Sequence, residues 1–393
     1  MVHMKDPLKE KNSSFWSEVQ AKLQKKKEES LFRRPLPAQG IDFCSNDYLG
    51  LSNSPLLQKE WNRGMELDGT GSSASRLVRG HFPVWDQFER KFAEFVEAEG
   101  CLLVTNGTIA NQGLLDSIAD PRTVVFCDRN NHASILDGIR LSKARRRYYE
   151  HLDLEDLRKQ ILKEDQRQGK LSKKVIISET LFSMEGDSPD LKGLIQIKEE
   201  CGAILVLDEA HALGVFGPQG QGLSWINLSP EERQKIDFRI YTFGKSFGLF
   251  GACIATRRTG VEYLTNFMRS YIFSTALPPG LGYSLLKSLE LVKDSNSKRE
   301  LILQRSTYVT KKLQELGFKI PDGNSQILPI LCKSPAESLK IASLLQEKGL
   351  DIRAIRPPTV SISRLRLSLN SKQSQEDINF LLEELGLITK YGL

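Results

Sequence analysis

The chain alternates short apolar runs with longer segments of helical period, and two of the runs stop at chemically active residues. Ala203-Ile204-Leu205-Val206-Leu207 ends in Asp208-Glu209-Ala210-His211, and Tyr241-Thr242-Phe243 leads into Gly244-Lys245-Ser246-Phe247-Gly248. Apolar runs of about four to eight residues, separated by amphipathic helices, specify a mostly parallel sheet covered on both faces. The spacing predicts strands at Leu102–Thr105, Thr123–Cys127, Val175–Ser178, Ala203–Leu207, Arg239–Phe243 and Ala252–Thr256. Helices are expected at Trp85–Glu97, Ile109–Ile118, Leu154–Leu162 and Leu191–Cys201. After Pro278-Pro279 the pattern changes to a long helical stretch (Leu281–Leu316), a strand at Ile327–Leu331, a helix at Pro335–Lys348, a strand at Arg364–Leu369 and a last helix from Ser374. The expected organisation is α/β. An N-terminal helix (14–31) and extended arm fill 1–48, a large domain spans 49–285, and a smaller α+β domain spans 286–393.

In an open α/β sheet, ligands bind beyond the carboxyl ends of the strands. An acid, an imidazole and a lysine are therefore expected in one crevice. A lysine flanked by glycines near apolar strands can lose its proton and form a Schiff base with an aldehyde. A carboxylate aimed at a pyridine nitrogen completes a pyridoxal phosphate site.

Bulk properties narrow the class. At 393 residues, more than one core is the prior. No apolar run approaches the ~18 residues of a membrane span, and the first 34 residues lack the apolar centre of a secretory signal. The six cysteines are scattered singly, which reads as reduced thiols of a cytoplasmic protein. Most of the net charge of +6 lies in residues 1–34, where nine Lys/Arg face five Asp/Glu. A basic stripe for nucleic acid would need clustering on the folded domain. Lys25-Lys26-Lys27 and Arg145-Arg146-Arg147 read as solvated surface.

Competing motifs fail on spacing. Gly244-Lys245-Ser246 lacks the glycine a phosphate-binding loop needs five residues before Gly244, where Arg239 stands. Gly244-x-Ser246-x-Gly248 fits a nucleophile elbow, but that fold places its histidine after the serine, and all five histidines (His3, His81, His132, His151, His211) precede Ser246. A metal held by His132, Asp208 and His211 would leave Lys245 unexplained, so no metal is expected.

The chain resembles the α-oxoamine synthases, class II aminotransferase-like pyridoxal phosphate enzymes of fold type I. Six motifs carry the resemblance in order: Cys44-Ser45-Asn46-Asp47-Tyr48-Leu49-Gly50-Leu51, Asn131-His132-Ala133-Ser134, Phe182-Ser183-Met184-Glu185-Gly186-Asp187, Asp208-Glu209-Ala210-His211, Thr242-Phe243-Gly244-Lys245 and Arg356-Pro357-Pro358-Thr359-Val360. The resemblance implies a homodimer with shared active sites and pyridoxal phosphate on Lys245. In that comparison His132 stacks on the pyridine ring, Asp208 holds its nitrogen protonated and His211 bonds its phenolate oxygen. Ser183 and Thr242 are cofactor-site hydroxyls. Gly107-Thr108 opens a helix whose N-terminus binds the phosphate, with Thr108 where the family usually has an aromatic residue. Ser274-Thr275 reaches the neighbouring subunit's phosphate. Gly69-Thr70-Gly71-Ser72 leads to Arg76 near the active site. On the substrate side stand Arg33, Asn46, Thr359 and Arg366. Arg366 pairs with the amino-acid carboxylate, with Arg364 on the same strand face as its rival. Glu179 is a strand-end acid without an assigned role. The lysine segment, Ser274-Thr275-Ala276-Leu277-Pro278-Pro279 and Arg356-Pro357-Pro358-Thr359-Val360 point to the alanine-using branch, and so to an acyltransferase of biotin biosynthesis. L-Alanine and a pimeloyl thioester, on CoA or on a carrier protein, are the implied substrates. Glycine-using relatives and a catalytically silent binding protein stand as alternatives.

Overall fold

The computed structural model describes residues 7–168, 172–320 and 324–390; His3 lies outside them. Its strands in chain order begin with β1 (Ile41–Asp42), β2 (Gly100–Val104), β3 (Val124–Asp128) and β4 (Arg145–Tyr149). β5 (Lys174–Glu179), β6 (Ile204–Asp208), β7 (Phe238–Thr242) and β8 (Ala252–Thr256) follow. The last four are β9 (Ile327–Leu331), β10 (Leu350–Asp351), β11 (Ala354–Ile355) and β12 (Arg364–Ser368).

A seven-stranded sheet runs in the order β2-β8-β7-β6-β5-β3-β4. Strands β4, β3, β5, β6 and β7 pair in parallel, and β8 is antiparallel to both of its neighbours. The central strands are buried on both faces. Val124, Phe126 and Ile176 join one core, while Val125, Cys127, Val175 and Ile177 join the other. This two-sided burial explains why the strands read as continuous apolar runs rather than as alternation. The expected α/β architecture and mostly parallel sheet are therefore present. A three-stranded antiparallel sheet, β11-β12-β9, forms from the C-terminal region, and β1 pairs in parallel with β10.

Three details differ from the sequence reading. The long stretch expected at Leu281–Leu316 is two helices, Pro279–Lys293 and Asn296–Glu315. Arg299 of the second donates to the carbonyls of Val292 and Lys293, which satisfies the end of the first helix and fixes the break. The N-terminal helix runs Pro7–Glu28, and it leaves Phe15, Trp16 and Leu23 exposed. The Arg145–Arg147 triplet is only partly solvated: Arg145 and Arg147 both pair with Glu164, whose side chain is buried. The cause is the strand period, which turns alternate residues of β4 toward the helix Leu154–Gln168.

Candidate active site

Glu179, Asp208 and Thr242 are the last residues of β5, β6 and β7, adjacent strands of the sheet. Glu179 and Asp208 are direct partners in the ladder. Beyond them opens a cavity of about 530 Å³, lined by these three residues, Lys245, His132 and His211, and by Asn46 and Arg366 from the opposite side.

Lys245 sits in the turn after β7. The turn closes through Gly248 N–H to Lys245 O (2.8 Å) and Leu249 N–H to Phe243 O (2.9 Å). Phe243 and Phe247 anchor it in an aromatic cluster, with ring centroids 5.0 Å apart and Phe92 5.0 Å from Phe243. Gly248 has φ +66°, and a Cβ there would stand 2.5 Å from Leu51 C and Ser52 N, so only glycine lets the turn pack on that segment. Burial among protein atoms pulls the Lys245 amine down to about 8, against the opposing pull of Asp208 and Glu179. Burial, with Asp208 next to it, pushes Glu179 up to about 8. The Glu179 carboxylate accepts the backbone N–H of His132 at 2.7 Å, which fixes the start of the helix Ala133–Leu141. The His132 ring is exposed to the cavity, and its Nδ1 lies 2.7 Å from Ser134 Oγ. Burial, with Lys245 nearby, lowers the pKa of His132, with Asp208 opposing. His211 is pushed well below its ordinary value by burial and by Lys245 and Arg366.

Asp208 is held by two donors, the Asn111 amide (2.9 Å) and the backbone N–H of Ala210 (2.9 Å). At the other end of the cavity the helix Gly107–Ile118 points its N-terminus inward, capped by Asn106, which accepts from Ile109 N–H. The first N–H groups of a helix have no intrahelical acceptor. Beside them, the Thr242 hydroxyl is buried without a partner. A Cβ on Gly107 would stand 2.6 Å from Thr242 Cγ2, so glycine is required there for close approach. An orphaned hydroxyl, bare helix N–H groups, an anchored carboxylate and a lysine of lowered pKa fit the phosphate, ring nitrogen and aldehyde of pyridoxal phosphate.

The opposite wall comes from distant chain segments. Arg366 donates to Ser183 O (2.5 Å), Ser368 Oγ (2.7 Å), Asn46 Oδ1 (3.0 Å) and Tyr48 Oη (3.2 Å). Arg364 instead turns to Met184 O and to Glu185 (3.1 Å) and does not line the cavity. Ser183, in the turn before Asp187, lines the cavity as expected. That turn is clamped by His151, which lies 2.8 Å from Asp128 and 3.1 Å from Asp187 and packs edge-on against Phe182.

Not every expected residue converges. Thr108 and Gly107 line the cavity, whereas Arg33, on the N-terminal arm, and Thr359, on the segment that follows Ile355 of the lining, bond to one another (3.0 Å) outside it. Ser274 and Thr275 line a separate small pocket with Arg76, which is paired with Glu89. The Gly69–Arg76 segment is thus not at this chain's own cavity. Residues that sequence reasoning left without a role include Asn111, Tyr48 and Ser134. Asn111 could have been found as the polar residue on the buried face of an apolar helix. Tyr48 carried no such signal, because its partners lie far off in sequence.

Two rival arrangements find no support. No three His, Cys, Asp or Glu side chains among the described residues are placed to hold a metal ion. The Ser246 hydroxyl is buried without a partner, so no histidine activates it.

The class I and II aminotransferase family matches residues 38–385. The "Putative 8-amino-7-oxononanoate synthase" of Bacillus mycoides is 39% identical over 352 residues, covering 89% of this chain and 88% of that protein. The serine palmitoyltransferase of Sphingomonas wittichii superposes with a TM-score of 0.84 at 26% identity, over 90% of this chain and 88% of that one. The 8-amino-7-oxononanoate synthase of Francisella tularensis superposes with a TM-score of 0.75 at 28% identity, over 90% and 98%. With a match that runs through both walls of the cavity, the chain belongs to the class I and II aminotransferase family.

Proposed function

We propose that this pyridoxal phosphate-dependent acyltransferase joins L-alanine to a pimeloyl thioester, releasing carbon dioxide and the thiol, to give 8-amino-7-oxononanoate for biotin biosynthesis. The observation that carries the reading is a lysine of lowered pKa sharing one cavity with an anchored carboxylate at a strand end and an arginine on the facing wall. The similarity to 8-amino-7-oxononanoate synthases supports the choice of substrates.

Pyridoxal phosphate, when bound, supplies an electron sink for charge developing at the amino-acid α-carbon. Thr242 and the helix N-terminus at Gly107-Thr108 would hold its phosphate. Asp208, kept in place by Asn111 and Ala210, would keep its ring nitrogen protonated. The exposed His132 ring would be the one to pack against its pyridine ring. Lys245, with a pKa of about 8, suits the general base that takes the α-proton of alanine near neutral pH. Arg366 receives the amino-acid carboxylate by exchanging one of its protein acceptors for it. The α-carbon then bonds to the thioester carbonyl carbon, the thiol leaves, carbon dioxide departs and a proton returns to the α-carbon. Arg33 and Thr359, bonded together at the rim, face the acyl substrate.

Ser274 and Thr275 act on a second copy of the chain. The neighbouring Leu77, Val78 and Phe273 are exposed, and the two segments are joined by Ala276 N–H to Ala74 O (2.9 Å). A homodimer would cover this apolar surface. No helix of the described residues is long and apolar enough to cross a membrane.

The likeness to a serine palmitoyltransferase keeps the amino acid to be tested directly. The experiment is a panel of alanine, glycine and serine against pimeloyl-CoA, pimeloyl carrier protein and acetyl-CoA, with product identified by mass. Alanine with a pimeloyl thioester should be fastest. Preference for glycine with acetyl-CoA would reassign the enzyme to glycine C-acetyltransferase chemistry. Absence of a visible cofactor band in protein purified with pyridoxal phosphate would indicate a silent relative.

A further inference from the structure

His211 lies in the cavity wall with Nδ1 turned away toward Tyr48, whose hydroxyl is 2.7 Å from it. Tyr48 is fully buried, so its hydrogen bonds are all to protein groups and its donors can be counted. Arg366 Nη2, which can only donate, stands 3.2 Å from the hydroxyl. Gln326 Nε2 donates to the backbone oxygen of His211 at 2.7 Å. A phenolic oxygen has two lone pairs and one proton. Arg366 fills one lone pair. A proton on His211 Nδ1 would take the other and force the phenolic proton onto Asn46 Oδ1, the longer of its two contacts.

The Tyr48 proton has two acceptors in range, His211 Nδ1 at 2.7 Å and Asn46 Oδ1 at 3.0 Å. Asn46 Oδ1 already receives Arg366 Nη2 at 3.0 Å. His211 Nδ1 has no other donor among the described hydrogen bonds, and it is the nearer of the two. We propose that Tyr48 is a positioning residue that fixes His211 as the neutral Nε2–H tautomer, so that the ring offers a donor to an anionic oxygen in the cavity. The reverse tautomer would present a bare nitrogen there and repel such an oxygen. Burial and the nearby Lys245 and Arg366 charges keep the ring unprotonated, which leaves the tautomer as the one variable. The identity of the anionic oxygen rests on the pyridoxal phosphate reading; the tautomer itself does not.

Long-range proton–nitrogen correlation spectra of the full chain, made with 15N-histidine, test the proposal with and without pyridoxal phosphate near neutral pH. Only five histidines contribute, and His211→Gln identifies the signals by their loss. The expected result is the Nε2–H pattern in both samples. In Tyr48→Phe the pattern should shift toward Nδ1–H or become a mixture. An Nδ1–H or doubly protonated ring in the unsubstituted protein overturns the proposal, whether or not Tyr48→Phe folds. An unchanged Nε2–H pattern in folded Tyr48→Phe overturns it as well. Neither outcome depends on cofactor binding, so failure of the cofactor reading would appear separately, as no change in any histidine signal on adding pyridoxal phosphate.

Discussion

The two walls of the cavity hold their charges by different means. On the sheet side, Glu179, Asp208 and Lys245 sit at or just after strand ends, and each is positioned by backbone that the sheet itself makes rigid. On the facing side, Asn46, Tyr48 and Arg366 are brought together across a sequence separation of 320 residues by side-chain hydrogen bonds. The first wall perturbs acidity, because burial of Lys245 there outweighs the opposing pull of Asp208 and Glu179. The second wall trades hydrogen bonds, because an arginine whose donors are spent on protein acceptors can release one of them to a substrate. Chemistry is therefore expected to fail when the first wall is altered, and amino-acid affinity when the second is.

The sharpest test is Lys245→Ala. Proton transfer by a placed base contributes roughly 10²–10⁴-fold to rate, and this variant should lose at least that, together with the cofactor linkage trapped by borohydride. Peptide mapping that finds the reduced cofactor on another lysine would remove the sheet side from the chemistry. Next in size is Asp208→Asn. It should keep the fold, since the amide oxygen still accepts from Ala210 N–H and a flipped Asn111 amide can offer its partnerless Oδ1 to the new NH2, yet slow exchange of the alanine α-proton in deuterated water on the order of 10²–10³-fold, the scale of losing one preorganised electrostatic group. A near-normal exchange rate would move the electron-sink role elsewhere.

On the facing wall, Arg366→Lys should raise the alanine dissociation constant about tenfold or more. A charge-assisted hydrogen bond contributes roughly 1.5–3 kcal/mol, and lysine loses the planar fork. The cofactor spectrum without alanine should not change. Arg364→Lys is the control, because that guanidinium is turned to Met184 and Glu185. If Arg364→Lys carries the binding defect instead, the assignment of the two strand positions is reversed.

The smallest effect concerns the turn between the walls. Burial alone would lower the pKa of His151, but the hydrogen bonds and charges of Asp128 and Asp187 override it and raise the ring to about 10. A pKa raised above the ordinary 6.5 means stabilisation that is complete below about pH 6.5 and is lost as pH rises through about 10. Urea midpoints should fall over that interval, and His151→Gln should flatten the fall. Equal slopes in the two proteins would show that the clamp contributes nothing measurable.

The contrast between the walls also explains what could be read in advance. Lys245, Asp208 and Thr242 announce themselves because each terminates an apolar run, and strand period plus run length predict where a polar group will emerge. Arg366 and Arg364 are one strand period apart, so local pattern alone could not choose between them; Glu185 decides, by capturing Arg364. Tyr48 reads as an ordinary buried aromatic until Arg366, Gln326 and His211 surround it. Ser274 and Thr275 fall outside the cavity of their own chain, and no periodicity carries information about a second copy. The break at Asp294–Ser295 was hidden because both helices share apolar residues over a continuous stretch, and a single buried arginine makes the interruption.

The short pairing of β1 with β10 has a consequence for how the enzyme comes into being. Gln39 and Asp42 take partners 312 to 331 residues downstream, at Asp351 and Gln373. A chain that emerges from the ribosome N-terminus first, folding unit by unit, has every strand of the large sheet available once Thr256 is out. The arm around Asp42 must wait for nearly the last helix to be made. The lysine side of the cavity can thus assemble during synthesis, whereas the arginine side closes only as translation finishes, so the two walls are completed in a fixed order.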